Sequence, residues 1–237
     1  MRAYFLSAAA AAVLSILTAG ASAAVVANYR NDFKTNGTPA PGWSYSWNAN
    51  GPVGDASTYV PLVADTNFGG DYETQANGTR PDAAPGSSLA ATSTSLFPGQ
   101  GTTQAADGIE RYAIAGYTFT AADIAAAGNV GYLDDYHFIV PIDSVDGVNT
   151  RVYINNFLIV ETILPPGLDY NSSFPGAYPV PLGNISPGDT VYVAVSARGS
   201  DTGDELQLEY SLKLVPEPGT LSALGAIACG LLARRRR

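Results

Sequence analysis

The nearest approach to a chemical cluster in this sequence is the run that contains Asp134, Asp135 and His137. His137 is the only histidine in the chain, so any histidine-based catalytic triad would have to use it. Residues two apart on a strand share a face, and Asp135 and His137 could therefore form half a metal site or an acid–base pair. The favoured alternative is the polar end of a strand that continues into Phe138 and Val140.

Catalytic signatures are otherwise missing from the sequence. It contains neither the Gly-x-Ser-x-Gly motif of serine hydrolases nor the His-Glu-x-x-His motif of zinc peptidases. The two carboxylates of a glycoside hydrolase can lie far apart in a sequence, so a glycan-active hydrolase stays open as the less favoured alternative. We predict a non-enzymatic protein with no catalytic residues.

The segment 43–47 alternates aromatic and small polar residues. On a strand, Trp43, Tyr45 and Trp47 project to one face, and Ser44 and Ser46 project to the other. A flat aromatic row can stack against the apolar faces of sugar rings, which makes the three aromatic residues candidate ligand-binding residues. The same asymmetry is expected of a strand whose aromatic face lies in the core. The sequence leaves both alternatives open.

Acidic residues in turns suggest a structural calcium ion. Asp32, Asp143 and Asp146 are the candidate metal ligands, because Ca²⁺ binds carboxylate oxygens in loops. No segment matches an EF-hand loop, and the alternative is that these carboxylates are solvated turn residues. Apart from this calcium we predict no cofactor.

The charge of the chain limits its partners. The whole sequence has 12 Lys and Arg against 21 Asp and Glu, a net charge of −9. Five of the arginines lie in the terminal segments described below, as does Glu217, so the central part keeps 7 basic and 20 acidic residues and a net charge of −13. Such a surface repels nucleic acid and anionic lipid. Cys229 is the only cysteine, so the central part has no disulfide.

Period-two alternation dominates the central part of the chain and predicts strands. The predicted strands are 43–47, 58–63, 112–120, 132–142, 151–163, 190–197 and 205–215. We expect a hairpin turn at 145–147 and a second at Asn155-Asn156. Only 120–127 is helix-like, and 65–108 is a long polar loop with one weak strand at 89–97. The pattern predicts an all-β fold, a single antiparallel β-sandwich of jelly-roll type.

Both ends of the chain have the composition of targeting segments. Residues 1–23 combine Arg2, a mostly apolar run and the small residues Ala21 and Ala23, which predicts a signal peptide cleaved before Ala24. The exported domain is then 24–214, and 215–237 form a tail. That tail contains an uncharged run at 219–233, which at 15 residues is shorter than the ~20 of a full membrane span. The terminal arginines favour a cytoplasmic end.

The tail resembles the PEP-CTERM sorting signal of environmental Gram-negative bacteria. The residues that carry the resemblance are Pro216, Glu217 and Pro218, the hydrophobic run 219–233, and Arg234, Arg235, Arg236 and Arg237. The resemblance implies processing by an exosortase-type enzyme. It also implies a transient hold in the inner membrane through a C-terminal transmembrane helix, followed by delivery to the cell surface or extracellular matrix.

Two central segments, 146–155 and 185–195, resemble jelly-roll modules that often accompany this tail. The second is similar to a segment of carbohydrate-binding-like jelly rolls. The resemblance implies binding of, or association with, extracellular polysaccharide. The alternative to polysaccharide binding is a structural matrix protein that associates only with itself.

Overall fold

The computed structural model describes residues 22–65, 71–74, 89–103, 105, 107–172, 178–200 and 204–216. Most of the predicted signal peptide and the predicted tail from Glu217 onward lie outside the described residues. Of the predicted sorting residues, only Pro216 is described. No helix within the described ranges is both long enough and apolar enough to cross a membrane.

The described residues form fifteen strands and two short α-helices. The strands are β1 (Ala24–Asn28), β2 (Trp43–Trp47), β3 (Val60–Pro61), β4 (Val63–Asp65), β5 (Asp71–Glu73), β6 (Ala90–Ala91), β7 (Ser95–Phe97), β8 (Tyr112–Thr118), β9 (Val130–Ile139), β10 (Val148–Ile154), β11 (Phe157–Leu164), β12 (Asp169–Asn171), β13 (Val180–Asn184), β14 (Thr190–Ser196) and β15 (Leu206–Val215). The helices are α1 (Tyr29–Asp32) and α2 (Ala121–Ala127), and a single 3₁₀ turn covers Ala56–Thr58.

The strands pair into two antiparallel sheets. One has the order β12-β9-β15-β7-β6-β5-β4, with β1 also paired to β15 and β13 also paired to β9. The other has the order β11-β10-β14-β8-β2-β3. Alternate residues of both sheets meet in one core, for example Val193 of β14 and Leu212 of β15, which are both fully buried. The prediction of an all-β antiparallel sandwich is confirmed.

Helix α2 forms where the sequence predicts it, because its start is capped. The Thr120 hydroxyl accepts a hydrogen bond from the Asp123 amide, and the Asp123 side chain accepts one from the Thr120 amide. This capping box satisfies amides that the first helical turn leaves unpaired. The helix ends at Gly128, whose φ is +98°. A Cβ there would lie 2.4 Å from the backbone nitrogen of Pro216, so only glycine fits.

The prediction of a hairpin at 145–147 is wrong, although the chain does turn there. Strand β9 pairs with β12, β13 and β15, whereas β10 pairs with β11 and β14, so the segment crosses from one sheet to the other. Local turn chemistry predicts a reversal but not which sheet the next strand joins. The hairpin at Asn155-Asn156 is confirmed: it joins β10 to β11, with Asn155 at a φ of +53°.

The polar stretch 65–108 contributes more to the fold than the sequence predicts. Its described residues include β5, β6 and β7, and the segment 89–97 is a two-stranded hairpin instead of one weak strand. Thr92 turns this hairpin by accepting hydrogen bonds from the amides of Thr94 and Ser95. Leu89 and Leu96 are fully buried. The strands are too short for their alternation to stand out among polar neighbours.

Candidate functional site

The cluster of Asp134, Asp135 and His137 separates into two sets of contacts. Asp135 has a φ of +49° at a bulge in β9, and Lys213 reaches both aspartates, at 2.9 Å and 2.7 Å. His137 instead lies 2.8 Å from Asp169 of β12. Burial opposes ionisation of Asp134, but the hydrogen bond from Lys213 leaves its pKa below the ordinary value. The aspartates are therefore held as partners of a lysine.

The aromatic residues of β2 lie on its inner face. Trp43 is 6% exposed, and its ring contacts those of Tyr29 and Tyr210. Tyr45 is 2% exposed, and its ring contacts that of Tyr72. Trp47 is half-buried and packs against the same core. Of the two sequence alternatives for this strand, the geometry is that of an aromatic face turned into the sandwich.

Two of the candidate calcium ligands accept hydrogen bonds from other residues of the protein, and the third is exposed. Asp32 accepts hydrogen bonds from the Asn28 amide at 2.8 Å and from the Trp43 indole at 3.2 Å. Asp146 accepts one from the Gly199 amide at 3.0 Å, and Asp143 is exposed. Among the residues that the structure describes, no three His, Cys, Asp or Glu side chains come together in a way that could hold a metal ion.

A network of polar side chains crosses the outer face of the six-stranded sheet, and we call it the polar row. Its members are Glu110, Tyr112, Asn149, Arg151, Glu161 and Ser196. The register of the sheet builds it, because Asn149 of β10 lies opposite Ser196 of β14, which lies opposite Tyr112 of β8. Glu110 accepts hydrogen bonds from the hydroxyls of Ser196, at 2.6 Å, and of Tyr112, at 2.7 Å.

The exposed end of the polar row is the ion pair of Arg151 and Glu161. The two residues lie opposite each other on β10 and β11, with the guanidinium 2.8 Å from the carboxylate. Asn149 donates a second hydrogen bond to Glu161, at 2.7 Å, and Arg151 lies over the ring of Tyr112, 5.3 Å from its centroid. The side chains of Arg151 and Glu161 are 26% and 41% exposed. Both planar groups are therefore fixed and still reach solvent.

The electrostatics of the polar row argue against acid catalysis. The hydrogen bond from Asn149, followed by that from Arg151, lowers the pKa of Glu161. Glycoside hydrolysis by two carboxyl groups needs one of them to be protonated. Glu110 uses both of its oxygens as acceptors for hydroxyl groups. Burial raises the pKa of Tyr112, which stays a hydrogen-bond donor. The arrangement can bind hydroxyl groups, and the hydrogen bonds to Glu161 favour its ionised form.

A second site opens between the two sheets, and we call it the inter-sheet cleft. It has a volume of about 370 Å³. Its walls include Leu133, Tyr136 and Phe138 of β9, Tyr170 of β12 and Val180 of β13 on one side, and Thr150, Val152, Val160 and Thr162 of β10 and β11 on the other. None of its described lining residues is charged.

Aromatic rings and hydroxyl groups give the cleft its detailed chemistry. The ring of Tyr136 stacks on Phe138 at 5.4 Å and on Tyr170 at 5.6 Å. Burial raises the pKa of Tyr136 to about 12, and its hydroxyl lies 3.5 Å from that of Tyr170. The Thr150 hydroxyl is buried in the wall and has no hydrogen-bond partner within the described part of the chain.

Neither site is visible in the amino-acid sequence. The polar row joins residues from 110 to 196, which only strand register brings together. The alternation of Asn149, Arg151 and Tyr153 along β10 was the one available signal, and it marks a polar face without identifying its neighbours. The cleft depends on where β12 and β13 pair, and neither short strand was predicted.

No protein-family model and no curated protein sequence matches this chain. The resemblance of the tail to the PEP-CTERM signal therefore stays a prediction. Among solved structures, the chain is similar to the K3 cleaved adhesin domain of Lys-gingipain from Porphyromonas gingivalis. The identity is 14% and the TM-score 0.33, over 81% of this chain and 98% of that chain. A likeness at this level carries no inference about ligand or activity.

Proposed function

We propose that this chain is a non-enzymatic polysaccharide-binding protein, exported to the cell surface or extracellular matrix. The sandwich of residues 24–214 is the binding part. The tail is held in the inner membrane until an exosortase-type enzyme processes it. The sequence of the tail supports this route, with Pro216, Glu217 and Pro218 ahead of an uncharged run and four arginines.

The observation that carries the binding proposal is the fixed, exposed pair of Arg151 and Glu161. Their planar groups offer donors and acceptors at set positions, which suits the neighbouring hydroxyl groups of a sugar. Leu158 and Ile163 flank the pair on β11 and are 41% and 55% exposed, so apolar surface lies beside the polar groups. A pyranose has the same combination of hydroxyl groups and apolar faces.

The charge of the protein narrows the class of polysaccharide. A domain with a net charge of −13 repels a polyanion such as a polyuronate. The single guanidinium of Arg151 is already neutralised by Glu161. The ligand is therefore a neutral polysaccharide, bound weakly through hydrogen bonds and apolar contact.

Affinity electrophoresis tests this function. The mature protein is run through gels that contain hydroxyethylcellulose or glucomannan as neutral polymers, or alginate as an anionic one. The Arg151→Ala change should weaken retardation by the neutral polymers about tenfold, because a hydrogen bond to a charged group contributes ~1.5–3 kcal/mol. Lys213→Ala is the matched control, since it removes a paired cation from the other sheet and should leave retardation unchanged.

Two results would reject the polysaccharide proposal. One is a native protein that migrates at the same rate in every neutral gel. The other is equal loss of retardation in Arg151→Ala and Lys213→Ala, which would indicate a general effect of charge. Stronger retardation by alginate would reject the neutral class specifically.

Self-association is the second candidate function, and the free edge of β11 favours it. Within the described residues β11 pairs only with β10, and its first residue, Phe157, is 73% exposed. An exposed apolar edge strand is a template for pairing with another strand. Sedimentation velocity should then show concentration-dependent dimers that Phe157→Lys abolishes. Val63→Lys on β4, the edge of the other sheet, should have no effect, and a protein that is monomeric at all concentrations excludes this function.

A further inference from the structure

The inter-sheet cleft has a different ligand chemistry from the polar row, and the proposed function does not use it. We propose that the inter-sheet cleft binds one acyl chain of a zwitterionic membrane lipid. The proposal rests on the membrane-anchored stage of the proposed function, because that stage supplies the lipid. It does not depend on the binding of polysaccharide.

The walls of the cleft fit a hydrocarbon better than a sugar. Its volume of about 370 Å³ lies within the ~300–1,000 Å³ of small-molecule sites. Aliphatic side chains and ring carbons make up most of the lining, as in Val152, Val160 and Phe138. A polar ligand would leave its hydroxyl groups without partners against these walls, which is costly. An acyl chain gives up no hydrogen bonds when it leaves water, and it displaces water from an apolar space.

The hydroxyl groups of the cleft lie where they cannot complete a sugar site. Tyr136 and Tyr170 face each other at 3.5 Å, and Tyr136 also approaches the carbonyl oxygen of Tyr178 at 3.4 Å. The buried hydroxyl of Thr150 has no hydrogen-bond partner within the described residues. An isolated hydroxyl in an apolar wall cannot pair with the several hydroxyl groups of a sugar.

Charge selects a zwitterionic lipid over an anionic one. No lysine or arginine lines the described walls, so an anionic headgroup or a free carboxylate would find no counter-charge. The net charge of −13 on the exported domain adds a long-range repulsion against anionic lipid. The lipid that matches this environment is one whose headgroup has no net charge.

The end of β15 links the cleft to the bilayer of the proposed membrane-anchored stage. Val215 ends β15 opposite Val130 of β9, the strand that forms one wall of the cleft. The uncharged run begins at Gly219, four residues later. Four extended residues span at most ~14 Å. A tail inserted in a membrane therefore keeps the Val130 end of β9 close to lipid, and the first cleft residue, Leu133, lies three residues further along the strand.

Photo-crosslinking in vesicles tests the proposal. The full mature chain is reconstituted into phosphatidylcholine vesicles that contain a trace of phosphatidylcholine with a diazirine at the middle of one acyl chain. After irradiation, labelled peptides should include residues of β9, β11 and β12. The change Val160→Trp fills the cleft and should lower labelling of these peptides at least fivefold. Leu158→Trp, on the opposite face of β11, is the matched control and should not lower it.

A second variant tests the cleft independently of any misfolding caused by Val160→Trp. Thr150→Val keeps the shape of the wall and removes the free hydroxyl, so labelling by the acyl-chain probe should be kept or increased. A drop in labelling with Thr150→Val would mean that the cleft serves a polar ligand and would overturn the proposal. Labelling confined to the tail, labelling unchanged by Val160→Trp, or failure of the chain to associate with the vesicles would also overturn it.

The test separates this proposal from the polysaccharide proposal. Val160→Trp should migrate like the native protein in hydroxyethylcellulose gels, because Val160 faces away from Arg151 and Glu161. Arg151→Ala should be labelled by the acyl-chain probe as the native chain is. Replacing the probe with a phosphatidylglycerol analogue should reduce labelling, and equal labelling by both would refute the selection by charge.

Discussion

Strands β10 and β11 have two faces with opposite chemistry, because successive side chains of a strand point to opposite sides of the sheet. Asn149 and Arg151 point outward into the polar row, whereas Thr150 and Val152 point inward into the cleft. The outer groups have fixed partners, and the guanidinium of Arg151 reaches solvent. The inner groups contact apolar side chains from the other sheet. The period of two in a strand is sufficient to place two kinds of site within one hairpin.

The two faces differ in what holds their side chains in place. On the outer face, a charged pair such as Arg151 and Glu161 is common in proteins and contributes little stability when exposed. Here Asn149 and Tyr112 hold the pair in one geometry. On the inner face, the side chains that line the cleft lack the packing contacts that a closed core would give them.

The largest expected effect comes from putting a charge on the wrong face. Val152 is 4% exposed and belongs to the core, so Val152→Asp would bury a carboxylate without a partner. We expect the free energy of unfolding to fall by about 4–5 kcal/mol, as for other unpaired buried charges. Urea denaturation measures the change. Leu158→Asp, at a site that is 41% exposed and opposite Tyr153 on the outer face, should stay within about 0.5 kcal/mol, and equal effects would contradict the assignment of faces.

A smaller effect separates the cleft from the sealed core. Phe119 is 1% exposed, and Phe119→Ala should lower the free energy of unfolding by about 3–5 kcal/mol. Phe138 is half-buried and lines the cleft, where part of its ring already lacks neighbours. Phe138→Ala should therefore lower it by only about 1–2 kcal/mol. Thermal unfolding of both variants measures the difference. A loss for Phe138→Ala as large as for Phe119→Ala would mean that the cleft is closed in solution.

The sequence predicts those parts of the fold that depend on local chemistry. Alternation locates β2, β8, β14 and β15, and the capping residues of α2 are visible at Thr120 and Asp123. Pairing is not local. The turn at Gly147 looks like a hairpin in the sequence, yet it joins two sheets. The polar row fails to appear for the same reason, since Glu110 meets Ser196, and Glu161 meets Asn149, only through strand register.

The smallest predicted effect concerns the acid dependence of the polar row. Hydrogen bonds from Asn149 and then Arg151 lower the pKa of Glu161 in the folded protein. A depressed carboxyl pKa stabilises the fold above the unfolded pKa of ~4.3, and this stabilisation is lost as pH falls through the folded pKa. Because the side chain is 41% exposed, the contribution is below ~1 kcal/mol. Glu161→Gln should therefore lower the melting temperature slightly at pH 6 and make no difference below the folded pKa.

Melting curves of the native chain and of Glu161→Gln between pH 6 and pH 3 measure this convergence. Asp143→Asn is the matched control, because Asp143 is an exposed carboxylate outside the row. It should keep the same pH dependence as the native chain. Retardation by hydroxyethylcellulose should weaken over the same acid range, since protonation of Glu161 removes the acceptor that orients Arg151. If Glu161→Gln melts in parallel with the native chain at every pH, the pair is not held in the single geometry that distinguishes the outer face from an ordinary solvated surface.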